Sequence, residues 1–248
     1  GEILEISKTS INSIYSYKSE NHNNSKMESC LFEYIYFMNE KSIGYYKNCD
    51  ENINSIRYKF GEKLAENELL AEKIKDIKDD FVVVGVPSTG ISSALGFSNK
   101  MNIPAVDGLV KHKNSNRTFI LQDDQNRNAA ASKNIFLIDD SIVRGITLRN
   151  IITKLKENGV KQIHLRVSSP KITGICYYGV DIPSKEELIA NILTISEMCE
   201  ELGVDSLRYL ELKDMIEAFP KNVEKDFCTG CIDGNYNENI DRDIEDLF

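Results

Sequence analysis

The spacing of apolar residues changes repeatedly along the middle of the chain. Between residues 52 and 75 they recur mostly at three- and four-residue steps among Glu and Lys, which predicts an amphipathic helix packed on a sheet. Strands that alternate with helices indicate an α/β fold with a mainly parallel sheet flanked by helices. The predicted strands are residues 81–86, 103–110, 135–138 and 160–168, and the predicted helices are residues 52–75, 91–101, 147–158, 184–202 and 206–219.

Both ends of the chain differ from this middle part. Residues 19–25 include three Asn and one His but almost no apolar side chain, so we expect residues 1–29 to form a linker. Residues 221–248 carry eight acidic and three basic side chains, which is typical of a solvated end. We interpret residues 237–248 as an acidic tail.

Composition narrows the possible functions. The 248 residues are 41% hydrophobic and 28% charged, enough to bury a core. A net charge of -9 argues against binding nucleic acid, and no apolar run approaches the roughly 18 residues of a membrane span. The chain begins Gly-Glu-Ile, without an initiator Met or a signal-peptide pattern, so we expect a cytoplasmic protein that is processed or part of a longer one. Six Cys are too few for a disulfide scaffold and point to thiol, metal or cluster chemistry.

Two adjacent carboxylates, Asp139 and Asp140, follow the predicted strand 135–138. Ligands of open α/β sheets bind at the carboxyl ends of the strands. Gly145 and Thr147 come next and lead into a predicted helix, whose N-terminus favours an anion such as phosphate. Acids beside a phosphate suit a ribose ring with Mg²⁺, so the pattern indicates a ribose 5-phosphate site. The alternative is that the two acids only cap the helix.

Residues 135–147 resemble the phosphoribosyl-diphosphate (PRPP) motif of type I phosphoribosyltransferases. With residues 141–145 included, the stretch is similar to the amidophosphoribosyltransferases of purine synthesis. Further similar blocks lie in the same order, so the resemblance covers the chain to about Tyr236 and implies a type I phosphoribosyltransferase domain at residues 30–236. These blocks are residues 30–37, 108–111, 117–120, 169–170, 178–183 and 187–190.

The resemblance implies roles for individual residues. Asp139 and Asp140 would be catalytic, and Thr89 would join them on Mg²⁺. At position 88 the family has an acid and this chain has Ser88, a change expected to weaken the metal site. The residues implied to bind substrate are Thr89, Gly90, Lys111, Arg117, Ser141, Val143, Arg144, Gly145 and Thr147.

Cys228 and Cys231 form a CxxC pair, which zinc ribbons, redox pairs and cluster sites share. Spacing alone does not select the other ligands. The resemblance does, because Cys30, Cys176 and the CxxC pair match the four cysteines that hold a [4Fe–4S] cluster in one branch of the family. Zinc is the competing metal, since it binds four thiolates as well. Cys49 and Cys199 match no ligand position.

The three His residues, His22, His112 and His164, have no spacing for a metal site or a catalytic triad. His164 alternates with apolar neighbours, so we expect an outward-facing strand residue.

Two parts of the family pattern are missing. The glutaminase domain of the family would end near Gly1, so residues 1–29 would be its remnant and ammonia would come from another source. Only residues 128–134 separate Arg127 from Ile135, where the family has a long loop that closes over PRPP. A shorter loop should slow the reaction and expose PRPP to water.

The resemblance implies a function: transfer of ammonia to C1 of PRPP, giving 5-phosphoribosylamine and diphosphate in purine synthesis. It also implies purine nucleotides as inhibitors and a homo-oligomer. One alternative is a non-catalytic protein that binds PRPP or nucleotides. Another is a salvage phosphoribosyltransferase, against which the blocks around Cys30 and Cys228 argue.

Overall fold

The computed structural model describes residues 2–16, 29–44, 51–71, 80–111, 119–120, 130–182, 184–220 and 227–236. The strands are β1 (Glu2–Ile6), β2 (Ile11–Ser16), β3 (Ser29–Cys30), β4 (Phe81–Gly85), β5 (Val110–Lys111), β6 (Phe119–Ile120), β7 (Asn134–Asp139), β8 (Gln162–Val167), β9 (Ser206–Tyr209) and β10 (Phe227–Cys228). The helices are α1 (Ile53–Leu70), α2 (Gly90–Met101), α3 (Ile146–Glu157), α4 (Ile189–Ile192), α5 (Ile195–Leu202), α6 (Leu212–Glu217) and α7 (Gly230–Asp233), with a π-helical turn at Glu33–Phe37 and a 3₁₀ turn at Lys185–Glu187.

A four-stranded parallel sheet, in the order β4-β7-β8-β9, forms the centre of the domain. Alternate residues of β7 face opposite layers of helices. Phe136 and Ile138 pack in the cluster that includes α1 and α2, whereas Ile135 and Leu137 pack in the cluster that includes α3 and α5. The parallel sheet with flanking helices that the sequence predicts is therefore confirmed.

Helices α1 and α2 pack unusually closely, because glycines lie where they meet. A Cβ atom at Gly61 would lie 1.9 Å from the backbone oxygen of Ser93, and one at Gly96 would lie 2.0 Å from that of Tyr58. Side chains larger than hydrogen would push the helices apart. This packing fixes the start of α2 against α1.

Three predicted elements differ from the structure. Residues 184–202 are not one helix, because Thr194 and Glu197 form a capping box that starts a separate helix, α5. Residues 206–219 begin with strand β9, in register with β8, before α6. Residues 103–110 form only a single bridge from Ala105 to Val83, followed by the start of β5. Pro104 has no N–H group to donate to a strand neighbour.

His164 does not face outward, as its alternation with apolar residues suggested. Both faces of the sheet are covered, so a side chain on either face of β8 meets other protein groups. The ring packs beside Phe81 and Phe136, and Nδ1 lies 2.8 Å from Ser206 Oγ. Burial lowers the pKa of His164.

Residues 2–16 form a β-hairpin, an element that the expected linker over residues 1–29 did not include. Strands β1 and β2 pair antiparallel, with Ile6 opposite Ile11. The side chains of residues 3–15 are all exposed. The large apolar side chains among them are Ile3, Leu4, Ile6, Ile11, Ile14 and Tyr15. The polar patch 19–25 and the tail 237–248 lie outside the described residues.

None of the described helices is long and apolar enough to cross a lipid bilayer.

A buried ion pair joins α1 to the sheet. Arg166 in β8 donates from Nε and Nη2 to the two carboxylate oxygens of Glu68, at 2.7 and 2.9 Å. The Arg166 and Glu68 side chains are 2% and 1% exposed, and Arg208 approaches the same carboxylate at 3.3 Å. The guanidinium also lies over the Phe136 ring. Because these charges are buried, removing one partner leaves the other without compensation.

Glu68→Ala is expected to lower the free energy of unfolding by about 3–5 kcal/mol, since it leaves the Arg166 charge buried and unpaired. Urea denaturation measures this change. The control is Glu217→Ala, which removes an exposed pair with Lys63 and should cost less than about 1 kcal/mol. Equal effects of the two substitutions would contradict the assigned role of Glu68.

Candidate phosphate-binding site and thiol cluster

Asp139 and Asp140 lie at the carboxyl end of β7, between neighbouring strands of the sheet. Both carboxylates are buried, with 8% and 7% of each residue exposed. The backbone N–H of Asp140 donates to Asp139 Oδ1 at 2.9 Å. Directly after the neighbouring strand β8, the N–H of Ser168 donates to the backbone oxygen of Asp139 at 2.8 Å. The predicted pair of acids therefore occupies the sheet edge where ligands of such folds bind.

Two hydroxyl groups hold the carboxylate of Asp140. Ser141 Oγ donates to Oδ1 at 2.6 Å, and Thr89 Oγ1 donates to Oδ2. Thr89 belongs to the turn between β4 and α2, so this bond joins the ends of two adjacent parallel strands. Ser88, which replaces the family acid, is exposed in the same turn, and the Pro87–Ser88 peptide bond is cis.

The environment of Asp139 and Asp140 disfavours their ionised forms. Burial raises the pKa of Asp139 well above its ordinary value, and the neighbouring charge of Asp140 raises it further. Burial also raises the pKa of Asp140, while the Ser141 and Thr89 hydroxyls and the charge of Arg57 lower it. A cation between the acids would relieve this cost. Carboxylate and hydroxyl oxygens are the donors that Mg²⁺ takes, so the residues present fit that ion.

Two glycines shape the space beside the acids. A Cβ atom at Gly90 would lie 2.7 Å from the backbone oxygen of Ile138, so the start of α2 approaches β7 closely only because this residue is glycine. Gly145 caps α3 with φ at +76°, in the left-handed region. The first turn of α3, which includes the half-buried Thr147, then presents backbone N–H groups at its N-terminus. A helix N-terminus of this kind favours an anion such as phosphate.

The other substrate residues implied by the resemblance have different positions. Val143 is half-buried and packs against the core. Arg144 is exposed, and its Nε donates to Glu187 Oε2 at 2.7 Å. Of Lys111 only the backbone is described, in β5. Arg117 lies outside the described residues, as do residues 121–129, which include the first two residues of the shortened loop 128–134.

Arg57 is a buried cation of α1 that the sequence pattern did not single out, and its guanidinium donates to the backbone oxygens of Tyr34 and Met38. Its side chain is 3% exposed, and the charge of Asp140 raises its pKa against the effect of burial. The available signal was its spacing, because Arg57 lies four residues after Ile53 and three before Phe60. A cation on the apolar face of an amphipathic helix needs a buried partner.

Four cysteines from three parts of the chain meet at one side of the domain. Cys30 in β3 lies opposite Cys228 in the parallel strand β10. The backbone oxygen of Cys231 accepts hydrogen bonds from the N–H groups of Thr173 and Gly174, which lie three and two residues before Cys176. Burial raises the pKa of Cys231 to about 12, and the charges of the other three thiols raise it too. The other three cysteines that the resemblance selected therefore lie within electrostatic reach of Cys231.

Contacts around the thiols tie the C-terminal segment to the domain. Tyr236 donates to the backbone oxygen of Ile175 at 2.6 Å and packs on Tyr177. Thr173 Oγ1 donates to the backbone oxygen of Ile232 at 2.7 Å. Across the described part of the chain, no three His, Cys, Asp or Glu side chains are arranged to hold a single metal ion.

Comparisons with known proteins agree with this geometry. Residues 59–175 match the family model of the phosphoribosyl transferase domain. The amidophosphoribosyltransferase of Methanothermobacter thermautotrophicus is 35% identical over 99% of this chain and 51% of its own length. That of Synechococcus elongatus is 37% identical over 87% of this chain and 44% of its own length. The chain thus spans about half the length of the curated relatives that it matches.

Solved structures give the same result. The glutamine PRPP amidotransferase of B. subtilis, complexed with ADP and GMP, is similar with a TM-score of 0.72 and 31% identity, over 95% of this chain and 51% of that one. A structure described as the allosteric regulatory enzyme of purine biosynthesis is similar with a TM-score of 0.71 and 31% identity, over 95% of this chain and 50% of that one. The type I phosphoribosyltransferase fold predicted from the sequence is confirmed.

Asp139→Asn is expected to stabilise the ligand-free protein at pH 7.5 by about 1 kcal/mol, because Asn has no charge to bury. The pKa of Asp139 is higher in the folded state than in the unfolded state, so the aspartate lowers the free energy of unfolding as pH rises through its folded pKa. Below the ordinary Asp pKa of about 4, the residue is protonated in both states and this loss of stability is absent. The gain should therefore shrink towards pH 4.5.

Urea denaturation at the two pH values measures this difference, with the exposed Asp181→Asn as control. A loss of stability in Asp139→Asn at pH 7.5 would contradict the argument that burial of the Asp139 charge destabilises the folded state.

Proposed function

This chain belongs to the amidophosphoribosyltransferase family and corresponds to the phosphoribosyltransferase portion of these proteins, and we propose that it transfers ammonia to C1 of PRPP. The products would be 5-phosphoribosylamine and diphosphate, in purine biosynthesis. The observation that carries this proposal is the buried acid pair at the end of β7, joined to Thr89 and followed by Gly145 and α3. That combination suits a ribose with a phosphate on one side and a diphosphate on the other.

Each part of PRPP would meet a different part of the site. Asp139 and Asp140 would accept hydrogen bonds from the ribose hydroxyls. The N-terminus of α3, from Gly145, would hold the 5-phosphate, and the backbone of the turn before Gly90 would face the diphosphate. Bound Mg²⁺ would neutralise charge on the departing diphosphate, with Thr89 and the two acids as its protein ligands.

The site has to position reactants and balance charge. Loss of diphosphate leaves positive charge on the ribose ring, which the two nearby carboxylates would stabilise. Ammonia is a nucleophile without further activation, so no protein base is required. Holding ammonia and C1 at reacting distance supplies much of the rate.

We propose that Cys30, Cys176, Cys228 and Cys231 hold a [4Fe–4S] cluster. Thiolates are the ligands of such clusters, and these four come from segments that the fold brings together. Zinc would need its four sulfurs about 2.3 Å from one ion. The role of the cluster would be to join both ends of the domain to residues 173–176.

The exposed apolar surface of the β1–β2 hairpin supports the proposal that a partner supplies ammonia. An isolated two-stranded hairpin is at best marginally stable in water, and this one exposes six large apolar side chains. The relatives have about as much chain again beyond the aligned part. We propose that a glutaminase domain or subunit covers the hairpin and delivers ammonia to the site.

Purine nucleotides are the proposed inhibitors. The B. subtilis relative was solved in complex with ADP and GMP. A nucleoside monophosphate shares the ribose 5-phosphate of PRPP, so the acid pair and the start of α3 would bind it in competition with substrate.

The function is tested by measuring diphosphate release from Mg·PRPP with and without ammonium at high pH, using protein prepared without oxygen. Ammonium is expected to increase the release at least about tenfold, because ammonia then replaces water as the nucleophile. Asp139→Asn, which removes charge with little change of shape, should abolish most of this increase.

Two outcomes would contradict the proposal. Binding of PRPP without release of diphosphate would indicate a binding protein. Release of diphosphate only in the presence of a purine or pyrimidine base would indicate a salvage phosphoribosyltransferase.

The cluster is tested by iron analysis of protein purified without oxygen. Brown protein with about four iron atoms per chain is expected. Cys231→Ser should lose most of this iron, whereas Cys199→Ser, outside the thiol cluster, should keep it. Colourless protein that contains zinc would contradict the assignment.

A further inference from the structure

The brace, residues 187–189, lies against the chain where it enters α3. The backbone N–H of Ile189 donates to the backbone oxygen of Val143 at 3.0 Å. The residue after Val143, Arg144, donates from Nε to Glu187 Oε2 at 2.7 Å. Two consecutive residues before α3 are therefore fastened to the brace, one through the backbone and one through a charged side chain.

The entry turn, residues 143–145, also packs on the brace at its last residue. A Cβ atom at Gly145 would lie 3.2 Å from Ile189 Cδ1 and 3.1 Å from Leu202 Cδ2. Ordinary van der Waals contacts are longer, so a larger residue at this position would press on the two side chains. Each residue of the entry turn thus meets the brace or packs against it.

Burial on both faces of the sheet fixes the brace. Leu188 is completely buried in the hydrophobic cluster that includes α1 and α2. Its neighbour Ile189 is 4% exposed and is buried in the cluster that includes α3 and α5. Adjacent residues of the brace therefore belong to opposite helical layers, and the core sets the position from which Glu187 reaches the entry turn.

Asn191 ties the brace to a second segment of the chain. Its Nδ2 donates to the backbone oxygen of Lys185, at the start of the 3₁₀ turn, and to that of Thr173, each at 3.0 Å. The backbone N–H of Asn191 donates to the oxygen of Leu188 at 2.9 Å. The brace is therefore held in place by contacts that do not involve α3.

The ion pair between Arg144 and Glu187 differs from an ordinary surface pair. The two side chains are 41% and 54% exposed. An exposed pair usually adds little stability, because two long side chains must be ordered and water screens their charges. Here the bond between Ile189 and Val143 already fixes the backbone beside both partners, so less ordering is needed. The pair can therefore orient the entry turn without contributing much to the stability of the fold.

We propose that Glu187 is a positioning residue for the 5-phosphate of PRPP. Its carboxylate holds Arg144, and through Arg144 it keeps the backbone N–H groups after Gly145 directed at the phosphate. This inference rests on the proposed function, in which the 5-phosphate binds at the start of α3. A carboxylate near a phosphate would by itself weaken binding. Removal of Glu187 therefore changes the affinity in the direction opposite to that of simple charge repulsion.

The test measures Kd for Mg·PRPP by isothermal titration calorimetry. Glu187→Ala is expected to raise Kd about fivefold, because Arg144 loses its acceptor. Glu187→Gln keeps a side-chain oxygen that can accept from Arg144 and is expected to stay within about twofold of wild type. The matched control is Glu186→Ala, which removes a carboxylate from the same 3₁₀ turn and should not raise Kd.

Two further measurements separate positioning from a general structural role. Mg·diphosphate has no 5-phosphate, so its Kd should be the same for Glu187→Ala and wild type, and the melting temperature should change by less than about 2 °C. In an Arg144→Ala background, Glu187→Ala is expected to change Kd for Mg·PRPP by less than about twofold, since the two residues act as a pair.

Several outcomes would overturn the inference. Tighter binding of Mg·PRPP by Glu187→Ala would show that Glu187 withholds Arg144 from the phosphate. Wild-type affinity in Glu187→Ala, or equal losses for Mg·PRPP and Mg·diphosphate, would also contradict it. If the wild-type protein does not bind Mg·PRPP, the proposed function fails. If the wild-type protein binds Mg·PRPP and Glu187→Ala binds it equally well, only the inference about Glu187 fails.

Discussion

The burial of two adjacent carboxylates at the end of β7 is the constraint on which the rest of the site depends. The ionised carboxylates of Asp139 and Asp140 would be better solvated in water than in the protein, and their negative charges repel each other. The fold compensates Asp140 with the hydroxyls of Thr89 and Ser141 and with the charge of Arg57. The Asp139 carboxylate has less compensation, a hydrogen bond from the backbone N–H of Asp140. This imbalance prepares the pair for a cation and for ribose hydroxyls, which would supply the missing partners.

The surrounding fold makes that burial possible. Strand β7 has a neighbour on each side, and helices cover both faces of the sheet, so the acids lie at a rigid edge. Glycines at positions 61 and 96 bring α1 and α2 together, and Gly90 brings α2 onto the end of β7. The buried pair of Glu68 and Arg166 joins the other end of α1 to β8.

Elements with a strong local signal could be predicted from the sequence, and those that depend on pairing could not. The apolar run of β7 followed by Asp139 and Asp140 was sufficient to predict the strand and the position of the two acids at its carboxyl end. In contrast, residues 206–209 form a strand only because β8 lies beside them, and their own pattern also suited a helix. Arg57 was missed because a cation on an apolar helix face shows its importance only when its partner is known. The four cysteines needed the family resemblance, since they are far apart in sequence.

The central claim is that the end of β7 and the start of α3 together bind the ribose 5-phosphate of PRPP. A crystal structure of the protein with Mg·PRPP, prepared without oxygen, tests it most directly. The account predicts ribose hydroxyls against Asp139 and Asp140 and the 5-phosphate at the backbone N–H groups after Gly145. Density for the ligand elsewhere on the protein, with no ligand contact to Asp139 or Asp140, would contradict it.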